Sequence, residues 1–106
     1  MAKTLTAPQC LEYFFRTRKK FNTRVLDLMD QIKNAHHNFL GYRVSYCQLL
    51  LPLLPERIAM TEFLMEHFHT IPETEPIMYE YLNVDHDALV EYQTKAGEYL
   101  RHPDVY

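Results

Sequence analysis

Glycine is nearly absent from this chain: two in 106 residues, Gly41 and Gly97. That excludes a glycine-rich phosphate cradle and a nucleophile elbow, which need glycines clustered where backbone approaches a ligand or turns sharply. Tryptophan is missing altogether. The two cysteines, Cys10 and Cys47, share no metal or redox spacing. With no sign of secretion, they read as free, partly buried thiols rather than a disulfide. No run of eighteen uncharged apolar residues occurs, so no transmembrane helix is expected. The first residues carry neither an apolar signal core nor a small-residue cleavage site, which leaves the cytoplasm as the default location. Internal repeats and low-complexity segments are absent too.

What is present is a long amphipathic pattern. Thr6-Ala7-Pro8-Gln9 fits a capping box, with the Thr6 hydroxyl accepting from the Gln9 backbone and the Gln9 side chain reaching back. Pro8 is tolerated there because first-turn N–H groups have no intrahelical acceptor. A three-four spacing follows through Leu11, Phe14, Arg18, Phe21, Val25, Leu28, Ile32, Ala35 and Phe39, and Gly41 supplies a left-handed C-cap. An unbroken helix over 7–40 would extend ~50 Å at ~1.5 Å per residue. A compact domain of this size has a radius of gyration of ~13 Å. The helix is therefore expected either to break, with Phe21-Asn22-Thr23 the natural place, or to need a partner chain over part of its stripe. Arg18 reads as a stripe-edge residue whose head reaches water.

The rest of the chain reads as shorter helices. One is expected over about 43–51, ended or kinked by Pro52. The run Leu49 to Leu54 is read as a buried connection crossing the core, with an exposed docking patch as the alternative. Pro55 opens a helix over about 55–70, with Glu56 in its first turn, burying Ile58, Ala59, Phe63, Leu64, Met65 and Phe68. Pro72 to Pro76 is a turn. Pro76 starts a short helix holding Ile77, Met78, Tyr81 and Leu82, and Asp85 caps a last helix from His86 to about Arg101. Gly97, inside that helix, is expected to permit a close crossing. The fold class is all-α: one domain over 1–106, a flexible tail at 1–5, and a small antiparallel bundle of four to six helices.

The net charge of −3 hides an asymmetry. Residues 1–55 carry eight basic and three acidic side chains, and residues 56–106 carry three and eleven, so the halves stand at +5 and −8. Such a split suits self-association, or separate faces for an anionic and a basic partner.

Four constellations bear on chemistry. The run Phe14 to Arg24 interleaves Arg16, Arg18, Lys19, Lys20 and Arg24 with aromatics, as a nucleic-acid-binding segment does. On a helix, however, Phe14 and Phe21 face the core while Arg16, Lys19 and Lys20 face elsewhere, and no reader motif accompanies them. Glu66-His67-Phe68-His69 contains the Glu-x-x-His spacing of bundle metal sites, but once, where a di-iron centre needs it twice. His36 or His37 with Glu66 and His69 is the one metal set that can be drawn. Carboxylate pairs such as Asp27 and Asp30 are spaced for solvated helix faces, and neither cysteine has a motif partner. Eight tyrosines exceed what a core needs, and tyrosine favours interfaces. The acidic stretch Glu73 to Tyr81 is the part most suited to touching a partner.

The expected function is a small non-enzymatic interaction protein that binds stoichiometrically, as adaptor, inhibitor or assembly subunit, and self-associates. Its candidate partner-binding residues are Arg16, Lys19, Lys20, Arg24, Glu73, Glu75, Tyr79 and Glu80. No catalytic residue, cofactor or resident metal is assigned. The competing readings are a nucleic-acid-associated protein using residues 16–24, and a helical metal or small-ligand binder using Glu66 and His69.

Overall fold

The computed structural model describes residues 5–35 and 40–104. Among them every regular element is helical: α1 (Ala7–Lys33), α2 (Leu40–Leu50), α3 (Leu54–His67) and α4 (Pro76–Arg101). Short 3-10 turns occupy Leu51–Leu53 and Phe68–Thr70. The all-α class holds, and no helix among the described residues is long and apolar enough to cross a membrane. The flexible tail expected at 1–5 lies, apart from Leu5, outside the described residues.

The helix count is lower than expected. Leu50, Leu53 and Leu54 all keep helical backbone angles, so α2, the 3-10 turn and α3 form one rod. Three rods result among the described residues, not four to six helices. Pro52 tightens the rod into a 3-10 turn, where its missing N–H costs least, rather than ending it. The break expected at Phe21-Asn22-Thr23 does not occur. Thr23 turns its hydroxyl back onto the Lys19 carbonyl at 2.8 Å, and Asn22 reaches across to Asp85, so both polar side chains are served inside the helix. Asp85 caps nothing: α4 runs through it.

The capping box at the start of α1 forms as expected, with Gln9 N–H donating to Thr6 Oγ1 and Thr6 N–H to Gln9 Oε1. The other end differs. The helix stops at Lys33 with Asn34 as C-cap, and Gly41 is the second residue of α2 rather than a cap. The expected span 7–40 is thus 27 residues, about 40 Å at ~1.5 Å per residue.

Two cross-links fix the topology. Arg43 of α2 reaches the Ile32 carbonyl near the end of α1, and Arg57 of α3 reaches the Phe14 carbonyl near its start, so the α2–α3 rod runs antiparallel to α1. Asp85 meets Arg18, and Arg43 also donates to the Pro103 carbonyl, so α4 runs parallel to α1. The bundle is elongated, 52 × 32 × 20 Å, with a radius of gyration of 15.8 Å. That length lets the chain cover most of its own first stripe: Cys10, Leu11, Phe14, Val25, Leu28, Met29 and Ile32 are all buried, while Leu26, which widens the stripe, stays 48% exposed. No partner chain is needed to explain it.

The core is split in two. One cluster joins Val25, Leu28, Met29 and Ile32 to Cys47, Leu50, Leu54, Ile58, Leu89 and Ala96. The other joins Cys10, Leu11 and Phe14 to Leu64, Ile71 and Leu82. The leucine run follows helical register: Leu50 and Leu54 are fully buried, Leu51 and Leu53 pack against the core, and Leu49 is exposed. It is neither an irregular connection nor a continuous patch. Ala59 and Phe63, expected inside, are exposed.

Candidate functional site

Between the two apolar clusters lies a charged layer. Arg18 donates from Nε and Nη2 to the two oxygens of Asp85, each at 2.8 Å, and its guanidinium lies 4.5 Å from the Tyr81 ring centroid. Asn22 Nδ2 adds a longer contact to the same carboxylate, 3.4 Å. The Asp85 side chain is 6% exposed and that of Arg18 28%. The stripe-edge arginine of the sequence is thus a bidentate anchor between α1 and α4. The hydrogen bond to Asp85 raises the Arg18 pKa above its ordinary value.

Arg57, on α3, is 5% exposed. Its guanidinium sits between the rings of Phe14 (4.3 Å) and Phe21 (4.7 Å). Nη1 donates to Thr17 Oγ1 at 2.8 Å and Nη2 to the Phe14 carbonyl at 2.9 Å. Phe14 and Phe21 therefore serve as faces for an internal cation, not as platforms for bases. Burial pushes the Arg57 pKa down, and Tyr13, Asp85 and Cys10 pull it back up. A third arginine, Arg43, is fully buried at the other end of the bundle. It donates to the carbonyls of Ile32 (2.8 Å) and Pro103 (2.6 Å) and lies over Tyr99, so it ties the end of α1 to that of α4. The Ile32 carbonyl is among those a helix end leaves without intrahelical donors.

The outer surface of α4 carries an organised apolar feature. On α4, Ile77, Tyr81, Val84 and Ala88 recur at four-three-four spacing, which aligns them along one side of a helix. Ile77, Tyr81 and Val84 are 46%, 42% and 61% exposed. Ile77 and Tyr81 were expected to face inward. With α4 continuous, Met78, Leu82, Asp85 and Leu89 take the inward positions and the stripe turns outward. The stripe borders the seam between α1 and α4, which touch more sparsely than either touches the α2–α3 rod. A 70 Å³ hollow in that seam is lined by Asn22, Val25, Leu26, Asp85, Ala88, Leu89 and Tyr92. Leu26, on the α1 wall, is 48% exposed. Next to the stripe, on the side away from α1, helical spacing places Glu80, Asp87 and Glu91, all exposed.

The candidate partner-binding residues fall into two groups that the fold keeps on different elements. Arg16, Lys19, Lys20 and Arg24 are exposed on α1. Arg16 pairs loosely with Glu12 at 3.9 Å and lies over Tyr13, whereas Lys19, Lys20 and Arg24 make no ion pair among the described residues. Glu73, Glu75, Tyr79 and Glu80 lie at the turn before α4 and in its first residues, all exposed. Glu73 holds a positive φ of 62°, a conformation costly for a residue with a Cβ. Tyr79 lies edge-on to Phe68, with ring centroids 5.3 Å apart.

Glu66 and His69 are both exposed, and among the described residues no three His, Cys, Asp or Glu side chains gather as metal ligands. His36 and His37, drawn as the completing ligands, lie outside the described residues. Cys10 and Cys47 are free and buried, as expected, one in each core cluster. Burial raises both thiol pKa values, with Arg57 offsetting part of the shift for Cys10 and Arg43 for Cys47. Gly97 permits no close crossing: a Cβ there would meet only the Arg101 Nη1, at 3.6 Å.

Local sequence pattern marks neither Arg57 as a buried cation, nor Asp85 as an ion-pair partner, nor the α4 stripe as exposed. A buried arginine carries no local signature, because its partners on α1 are thirty-six or more positions away. The stripe does have one, the 77–81–84–88 spacing, but a helix boundary drawn at Asp85 divided it. No family model, curated protein or solved structure matches this chain.

Proposed function

We propose that this protein is a non-enzymatic, stoichiometric protein-binding module whose α1–α4 seam receives an amphipathic helix from a partner protein. The observation that carries this reading is the exposed Ile77–Tyr81–Val84 stripe, continued by half-buried Ala88, beside an underfilled seam. The sparse contact between α1 and α4 leaves room for a fourth helix at that edge, and helix-in-groove recognition reads such spacing through anchors at i, i+3 or i+4, and i+7. Charge selects the occupant. The outer border of the stripe is acidic through Glu80, Asp87 and Glu91, so the docking helix carries lysine or arginine along the edge that meets it. Of the candidate residues, Glu80 borders this seam directly. Lys19 stands on the α1 side, where it favours an acidic residue on the opposite edge.

The test is affinity capture from native lysate after nuclease, comparing the natural chain with Val84→Lys and Glu80→Lys. The reading requires one stoichiometric protein partner that both substitutions release while helicity is unchanged. Identical partners on all three baits would overturn it. Self-association is a second arm of the same reading, because the basic α1 face of one copy can meet the acidic α4 of another. Sedimentation at increasing concentration and low salt would show it as a rising mass.

A nucleic-acid-associated function is the competing reading. It is favoured by the exposed Lys19, Lys20 and Arg24, which have no ion pair among the described residues. It requires retention on an oligonucleotide column that falls steeply with salt, and loss of that retention in a Lys19→Glu/Lys20→Glu variant.

A further inference from the structure

The charged layer leaves an unbalanced positive charge. Arg18 and Arg57 stand in it against a single carboxylate, Asp85, which Arg18 holds bidentately. Among the described residues Arg57 makes no ion pair: its acceptors are a hydroxyl, a backbone carbonyl and the Met60 sulfur, all neutral. Burying a cation without a counter-charge is costly, and aromatic faces and neutral acceptors return only part of that cost.

Arg57 also opens on a cleft. A cavity of about 220 Å³ lies where the α2–α3 rod tightens into its 3-10 turn beside α1. It is lined by Tyr13 and Phe21 from α1, by Pro52 and Leu53 from the turn, and by Glu56, Arg57 and Met60. Its walls combine apolar surface from Phe21, Pro52, Leu53 and Met60 with the polar groups of Arg57, Tyr13 and Glu56, and Tyr13 acts electrostatically on Arg57. Glu56 is the one acidic lining residue.

We propose that this cleft binds a small organic monocarboxylate with an apolar body. The carboxylate meets Arg57 and Tyr13 and supplies the missing negative charge. The hydrocarbon part lies against Phe21, Leu53, Pro52 and Met60. Glu56 makes the site discriminate by charge: it repels a second anionic group, so dicarboxylates and phosphate esters bind worse than monocarboxylates. The cleft lies between α1 and the α2–α3 rod, away from the α1–α4 seam, so the two sites stand or fall separately.

The probe is 3-phenylpropionate, titrated into the full chain and followed by amide NMR shifts. Controls are 3-phenyl-1-propanol, which keeps the body without the charge, and phenylsuccinate, which adds a second carboxylate. The expected result is saturable shifts at Tyr13, Phe21, Leu53 and Met60, with Kd on the order of 1 mM or below. The alcohol should bind about tenfold more weakly, as loss of a charge-assisted contact dictates. Arg57→Gln should abolish binding. Should that variant fail to fold, two exposed or half-exposed positions keep the test open. Tyr13→Phe should weaken binding several-fold, and Glu56→Gln should admit phenylsuccinate. No saturable shift with the natural chain, equal binding of acid and alcohol, or indifference to both Tyr13→Phe and Glu56→Gln would overturn the proposal.

Discussion

Replacing Arg18 by methionine removes one member of the Arg18–Asp85 pair, and the structure gives the loss a size and an asymmetry. Asp85 is nearly sealed: its side chain is 6% exposed, and with Arg18 gone its one remaining direct hydrogen-bond partner is Asn22 at 3.4 Å. Breaking a buried pair from one side costs about 3–5 kcal/mol, because the survivor stays buried and charged. Arg18→Met should therefore cost about 3 kcal/mol or more. The reverse substitution, Asp85→Leu, strands an arginine whose side chain is already 28% exposed and can turn to water. It should cost less, about 1–2 kcal/mol. The double variant should recover much of the loss, since a well-packed apolar pair replaces an ion pair at little net cost. For a domain of about 100 residues each kcal/mol moves Tm by ~4–8 °C, so Arg18→Met should lower Tm by at least ~12 °C. Urea titrations of the four proteins by circular dichroism, with a common m-value, close the cycle. Equal costs for the two single variants, or a double variant as unstable as their sum, would refute this account of the layer.

Three further outcomes are expected. Gly97→Ala should stabilise the chain by about 1 kcal/mol, because the position is mid-helix and a Cβ meets only a flexible Arg101 end at 3.6 Å; a lowered urea midpoint would contradict this. Arg43→Met should cost about 2 kcal/mol or more and should loosen amide exchange at the end of α1 and in the segment that follows α4, since one side chain serves the Ile32 and Pro103 carbonyls. The two cysteines make stability fall in alkali. Both native thiols have pKa values raised by burial, so above about pH 8.5 the unfolded chain loses its thiol protons first, and stability is intact below that pH and declines as pH rises through the native values. A Cys10→Ala/Cys47→Ala variant should show a shallower decline in urea midpoint between about pH 7 and 9.5 than the natural chain.

Much of the fold can be read from local pattern, and the failures share one cause. The capping box at Thr6 and Gln9, the apolar spacing of α1 as far as Lys33 and the proline-bounded turn before α4 are set by neighbours a few residues apart and appear where the pattern puts them. Asp85 and Asn22 read as helix ends because their short polar side chains favour caps when nothing else engages them. Here the Asp85 carboxylate accepts from both Arg18, sixty-seven residues away, and Asn22, and neither helix breaks. Arg57 fails for the same reason: Phe14, Thr17 and Phe21 are contiguous on α1 but distant from it in sequence. The surface was partly legible. The exposed basic run on α1 and the acidic start of α4 follow from helical spacing. The α4 stripe was hidden by a boundary drawn through it, and no pattern in 106 residues names the molecule that covers it.

The most direct test is a photo-reactive side chain placed at Val84, in the centre of the exposed stripe, and in a second protein at Gln31, on the solvent face of α1 away from the seam. After irradiation in the native host, the protein-binding account requires one dominant protein adduct from the Val84 position, absent from Gln31 and lost when Glu80→Lys is added. Peptide mapping should place the crosslink on an amphipathic helix with a basic edge. No adduct at Val84, or the same adducts from both positions, would contradict it.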